Sequence, residues 1–145
     1  MKFRVSFFAL PLSIIFTSYT SLYAQDGPEE IAPANFYYQT NAYRPIVSDG
    51  IKSYLEDLKS YMDSNQGVKV KLDGYAQDGK NLEWNTRVSK YGVRALRDIL
   101  IDYGIKKSRI EIEYFGKTGF IAEDDSEKEV AKNRRVELRV LYSDS

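Results

Sequence analysis

Hydrophobic and polar residues alternate with period two at three places along this chain of 145 residues. Val68, Val70 and Leu72 interleave with Lys69, Lys71 and Asp73; Ile110, Ile112 and Tyr114 with Glu111 and Glu113; Val136, Leu138 and Val140 with Arg135, Glu137 and Arg139. A strand sends successive side chains to opposite faces, so each run predicts a strand with one buried and one charged face. The opposite signs of the outward charges on the last two strands suit pairing across an open sheet face. A shorter apolar run from Phe36 to Gln39 predicts a first strand.

Between these runs the period changes. Ile51, Leu55, Leu58 and Met62 recur at steps of four and three, the stripe of an amphipathic helix, with Ser48 or Asp49 as its cap and Asn65-Gln66-Gly67 as its stop. A second helix runs from Leu82 or Asn85 to Tyr103, with Val88, Tyr91, Ala95, Ile99 and Leu100 as its core stripe and Gly104 beyond its end. Arg87, Lys90, Arg94 and Arg97 fall off that stripe, as a solvated face should. Ser126 to Lys132 make a short third helix, with Ser126 as cap and Glu129 as the capping-box acid. The order βαβαβ(α)β predicts an α/β (α+β) sandwich, a mixed four-stranded sheet with helices on one face.

Residues 1–24 stand apart from this pattern. Lys2 and Arg4 precede an apolar run from Val5 to Phe16, and Leu22-Tyr23-Ala24 ends in a small residue, so the segment reads as a secretory signal cut before Gln25. The run is shorter than the roughly 20 residues of a spanning helix. Residues 25–34, polar with two prolines, read as a flexible lead-in, and residues 35–143 as one domain of ordinary size.

Composition narrows the chemistry. The chain has no cysteine and no histidine. Thiol catalysis, thiolate metal sites and a cysteine-borne lipid anchor are therefore excluded, and the commonest general base and metal ligand are missing. No nucleophile has a partnered base, and the expectation is that the protein is not an enzyme and carries no cofactor. Lys plus Arg equal Asp plus Glu at 21 each and are interspersed, which is no footprint for nucleic acid. Asp73, Asp78, Glu123, Asp124 and Asp125 are carboxylates of the kind calcium takes, yet the run at 123–125 reads better as a solvated loop before a helix. Gly116-Lys117-Thr118-Gly119 lacks the full order of a phosphate loop and reads as a turn. Trp84 beside Tyr75 and Tyr91 is either an aromatic contact surface or a group buried on the sheet.

Three short segments carry a resemblance. Gly74-Tyr75-Ala76-Gln77, Asn85-Thr86-Arg87-Val88-Ser89 and Asn133-Arg134-Arg135-Val136 resemble the signature of the OmpA C-terminal-like, peptidoglycan-binding family, which reads Gly-His-Thr-Asp, then Asn, then Leu-Ser-x-x-Arg-Ala, and finally Asn-Arg-Arg-Val entering the last strand. The resemblance covers about Phe36 to Leu141. It implies a pocket in which an Asp and an Arg hold the charged ends of diaminopimelate in a peptidoglycan stem peptide, one carboxylate and one guanidinium at a fixed separation.

In the register set by Asn85, the family's Asp falls on Gln77 and its Arg on Gly92. Asp78 lies one residue on and is placed to substitute by a slide of the loop. Arg94 is turned about 200° away from position 92 on a helix. By resemblance, Gln77, Asp78, Asn85, Ser89, Gly92, Asn133 and Arg134 are the ligand-site positions. Read without the family, Asn133 ends the short helix and Arg134 and Arg135 make surface ion pairs.

The resemblance implies a non-catalytic, exported domain of the Gram-negative envelope, periplasmic or outer-membrane associated, that contacts peptidoglycan or an envelope protein through a weakened diaminopimelate pocket. The rival is an accessory subunit of a motility or secretion machine that has no wall binding. Restoring the pair as Gln77→Asp with Gly92→Arg is expected to raise binding, and the arginine to strengthen the helix by the roughly 1 kcal/mol that Gly costs there.

Overall fold

In the computed structural model, which describes residues 30–39, 42–77, 81–119 and 126–142, the alternating runs are strands and the stripes are helices. The order is β1 (Ala34–Tyr37), α1 (Asp49–Ser64), β2 (Lys69–Tyr75), α2 (Leu82–Asp102), a 3-10 turn (Lys107–Arg109), β3 (Ile110–Gly116), α3 (Glu127–Lys132) and β4 (Arg135–Leu141). One mixed sheet results, in the order β1-β4-β2-β3, with β2 and β3 parallel and β4 antiparallel to both β1 and β2. The parallel pair needs a long crossover, which α2 supplies.

Register explains the core. Val70 lies opposite Val140, Leu72 opposite Leu138, and Val136 opposite both Gly74 and Phe36. These residues share one face of the sheet, where Phe36, Val70, Leu72, Val136 and Leu138 are buried with Leu55, Leu58 and Met62 of α1. Val88, Val93, Leu96, Ile99 and Leu100 of α2 complete the cluster. Ile110 and Ile112 are only half-buried, because β3 is an edge strand.

The predicted stripe of α2 is one position out at two places. Tyr91 is exposed and Ala95 half-buried, while Gly92, Val93 and Leu96 face the core. The 88-92/93-96-99/100 spacing is the better helical stripe, and the bulky tyrosine had masked it. Tyr91 instead meets Tyr43, ring centroids 5.7 Å apart. Trp84 is half-buried against the core with Arg87 over its ring.

The helix ends are built as the sequence suggests, with two additions. Ser48 caps α1 by accepting from Ile51 N–H, and Ser126 caps α3 by accepting from Glu129 N–H. Asn81 caps α2, accepting from Trp84 N–H at 2.9 Å, which fixes the start at Leu82. At the other end Gly104 N–H reaches Ile101 O and Ile105 N–H reaches Leu100 O, a Schellman closure with Ile105 buried beside it. The end of α1 is closed by Arg109, whose guanidinium donates to Met62 O, Asn65 O and Val68 O at 2.8, 2.6 and 2.7 Å. It satisfies the carbonyls that a helix end leaves open.

Two expectations are corrected at the sheet. The charges of β3 and β4 do not pair with each other, because β2 lies between them. Lys69 and Lys71 of β2 take Glu111 and Glu113 at 3.1 and 2.7 Å, and Arg139 of β4 takes Asp73. Asp73 is consequently buried despite facing outward. The first strand starts at Ala34, two residues earlier than expected, and Ile31, within the segment read as a flexible lead-in, packs into the core while Ala32 O accepts from Tyr54 OH at 2.7 Å. The expected signal at 1–24 lies outside the described residues. Among those described, no helix is long and apolar enough to cross a membrane.

Candidate functional site

The three signature segments meet at one end of the sheet, where β2 runs out, α2 begins and α3 turns into β4. Gly74 lets this happen. A Cβ there would lie 2.4 Å from Val93 Cγ1 and 2.6 Å from Ser89 O, so the α2 backbone presses directly on β2.

Ser89 then ties the layers together. Its Oγ donates to Thr86 O at 2.8 Å and accepts from Gly116 N–H at 3.0 Å, joining α2 to the end of β3. Asn85 is fully buried one turn earlier, with its Nδ2 donating to Asn81 O at 3.0 Å. Both residues are committed to the frame, so their retention is explained by architecture.

Gln77 sits where the resemblance places the ligand aspartate. Its Oε1 accepts from Nδ2 of the buried Asn133, and its backbone carbonyl accepts from Arg134 Nη1 at 3.4 Å. Gln77, Asn133 and Arg134 are thus brought together, as the resemblance implies. Asp78 lies outside the described residues.

Gly92 is the decisive position. A Cβ there would meet the Tyr38 ring at 3.0 and 3.3 Å. Tyr38 is 3% exposed, its OH donates to Tyr75 O, and its backbone N–H donates to Arg134 O at 3.1 Å. An aromatic ring from the exit of β1 therefore occupies the space above the helix where the resemblance places a guanidinium. The expected gain in helix strength from Gly92→Arg is opposed by close approach to a pinned ring. Tyr38 was missed in the sequence, where it reads as one more aromatic of the first strand. The available signal was the pairing of a glycine at an arginine position with an added tyrosine elsewhere.

The arginines of the last segment are not surface ion pairs. Asn133 does end α3, as its C-cap, but Arg134 and Arg135 are 9% and 2% exposed. Arg135 lies 4.2 Å from the centroid of the Tyr75 ring and donates to Glu137 Oε1 and to Gly119 O. The Tyr75 ring stacks on Phe115, and burial raises its phenol above the ordinary tyrosine value. Among the described residues Arg134 has no such carboxylate. Its Nε lacks a hydrogen-bond partner, as does Arg135 Nη1. Of the carboxylates weighed for a cation, only Asp73 is described, and it is taken up by Arg139 and Lys71.

No family model matches the chain. It is 26% identical over 104 residues to the peptidoglycan-associated lipoprotein of Pseudomonas aeruginosa, covering 72% of this chain and 59% of that protein. It is also 26% identical over 116 residues to outer membrane protein A of Buchnera aphidicola, covering 74% of this chain and 33% of that protein. The chain thus spans less than two thirds of these relatives. Among solved structures, the peptidoglycan-associated lipoprotein from Burkholderia pseudomallei superposes with a TM-score of 0.66 at 21% identity, covering 74% of this chain and 89% of that one. The fold is that of OmpA-like domains. These relatives, with the three signature segments in place, make the chain similar to proteins carrying OmpA C-terminal-like domains.

Proposed function

We propose that this protein is a non-catalytic, exported domain that contacts peptidoglycan in the Gram-negative envelope, periplasmic or outer-membrane associated, with its diaminopimelate clamp dismantled. The observation that supports this reading is the split among the positions the resemblance names: Asn85, Ser89, Asn133 and Arg134 are buried, while the two charged positions fall on Gln77 and Gly92. Losing a charge pair of this kind removes on the order of 3 kcal/mol, about a hundredfold in affinity. Contact with the wall then rests on what surrounds the old clamp. The names of the relatives, one a peptidoglycan-associated lipoprotein, support the ligand class.

Catalysis has no support in the site. Neither histidine nor cysteine exists in the chain, and the one deeply buried carboxylate of the described residues, Asp73, is neutralised by Arg139.

A second reading is favoured by Tyr38. A ring that closes the clamp from within suits a domain that keeps the fold for protein contact alone, as an accessory subunit of an envelope machine. Sedimentation with purified sacculi separates the two. The first reading expects the protein in the pellet, and protein wholly in the supernatant selects the second.

A further inference from the structure

Beside the dismantled clamp lies a groove between the exit of β1 and α3, with a volume of about 470 Å³. That is within the range of about 300–1,000 Å³ typical of small-ligand sites. Tyr37, Tyr38, Ile46 and Ala131 give it apolar surface, and Tyr37 and Ile46 are 43% and 54% exposed. Its cations are Lys128, Lys132 and Arg134, and no carboxylate lines it among the described residues. Lys132 is held by Glu129 from outside the lining.

Arg134 is the built element of this groove. It is more than nine-tenths buried, and among the described residues its Nε has no partner and its side chain makes a single contact, Nη1 to Gln77 O at 3.4 Å. A buried guanidinium short of acceptors is costly, and the group that suits its planar donors best is a carboxylate. Arg135, one residue on, is better supplied, its Nε and Nη2 donating to Glu137 Oε1 and Gly119 O although Nη1 is unpartnered.

We propose that this groove binds the free carboxylate end of a short peptide carrying an apolar side chain, with Arg134, Lys128 and Lys132 facing the carboxylate and Tyr37 and Ile46 taking the side chain. The assignment of that peptide to the wall rests on the reading above. It is favoured by continuity, since Arg134 lines the groove and donates to Gln77 at the old clamp. A phosphate would leave the apolar surface unused, and a zwitterionic end would bring an ammonium against three cations.

The test is a heteronuclear NMR titration of the full chain with an N-acetylated tripeptide ending in an apolar residue, against the same peptide as its C-terminal amide. The acid is expected to give saturable shifts at Tyr37, Ile46 and α3, and the amide to bind about tenfold more weakly, the worth of one charge-assisted contact. Lys128→Glu, at an exposed position, is expected to weaken the acid by a similar factor with the melting temperature unchanged. Arg134→Gln should do the same if it folds. Equal binding of acid and amide, or shifts confined to Asn85 and Gly92, would overturn the groove. Protein that pellets with sacculi yet ignores the acid overturns the groove and leaves the wall reading standing. Protein that takes the acid but stays in the supernatant overturns the wall as the source.

Discussion

The two ends of β2 make an instructive pair. At its start, Val70 and Leu72 join the apolar cluster with α1 and α2 with no exposed surface, opposite Val140 and Leu138. At its finish, Gly74, Tyr75, Ala76 and Gln77 pass into a cluster of buried amides and guanidiniums, where Asn133 holds Gln77 and Tyr38 covers Gly92. The first end is held by area and is indifferent to which aliphatic residue supplies it. The second is held by pairwise fits between particular residues.

The largest effect should come from attacking the first end. Leu72→Asp places an unpaired carboxylate among fully buried aliphatics, a cost of several kcal/mol that should abolish the cooperative thermal transition seen by circular dichroism. Lys69→Ala, which removes a pair with both partners about half exposed, should shift the same transition by at most about 1 kcal/mol. Similar losses from both would show that the sheet faces are misassigned.

At the second end, Gly92→Arg should destabilise by about 1–3 kcal/mol through overpacking against the Tyr38 ring. Tyr38→Ala alone should also destabilise, since it empties a buried ring site. Their combination should be less harmful than the two changes added, because the clash and the void relieve each other. Strict additivity in a denaturant-melt cycle would mean that the two positions are not interlocked.

A smaller effect sharpens the contrast at the margin of the core. Burial pushes the Tyr54 phenol up to about 12 from its ordinary 10.0. The fold favours the neutral form, so this contribution is complete below pH 10 and is lost as pH rises through about 12. Tyr54→Phe gives up the bond to Ala32 O, costing about 1 kcal/mol at neutral pH, and should lessen the alkaline loss of stability in melts run across that window.

How far the chain could be read before folding follows the same division. Strand faces at 70–72 and 136–138 were legible because a period of two admits only two phases, and a slip would invert every residue. The caps Ser48 and Ser126 were legible because they act within three residues. Tyr91 and Ala95 were assigned to the core because a bulky aromatic outweighs a glycine on any hydrophobicity count, although Gly92 is the position that touches the sheet side. The burial of Arg134 was beyond reach, and the Tyr38–Gly92 fit left only the weak signal of a glycine at an arginine position, because both depend on segments that meet only after β1 and β4 have paired. The signature segments pointed to residues that the fold brings together, and could say nothing of the Tyr38 ring beside Gly92.

Calorimetric titration with free diaminopimelate tests most directly the proposal that Tyr38 fills the place of a charged clamp whose ligand pair this chain lacks. The native protein should show no saturable heat, while Gln77→Asp with Gly92→Arg and Tyr38→Ala, which reinstates both charges and clears the ring, should bind about a hundredfold or more tightly than native. Tight binding of diaminopimelate by the native protein, undiminished by Gln77→Ala, would contradict the account.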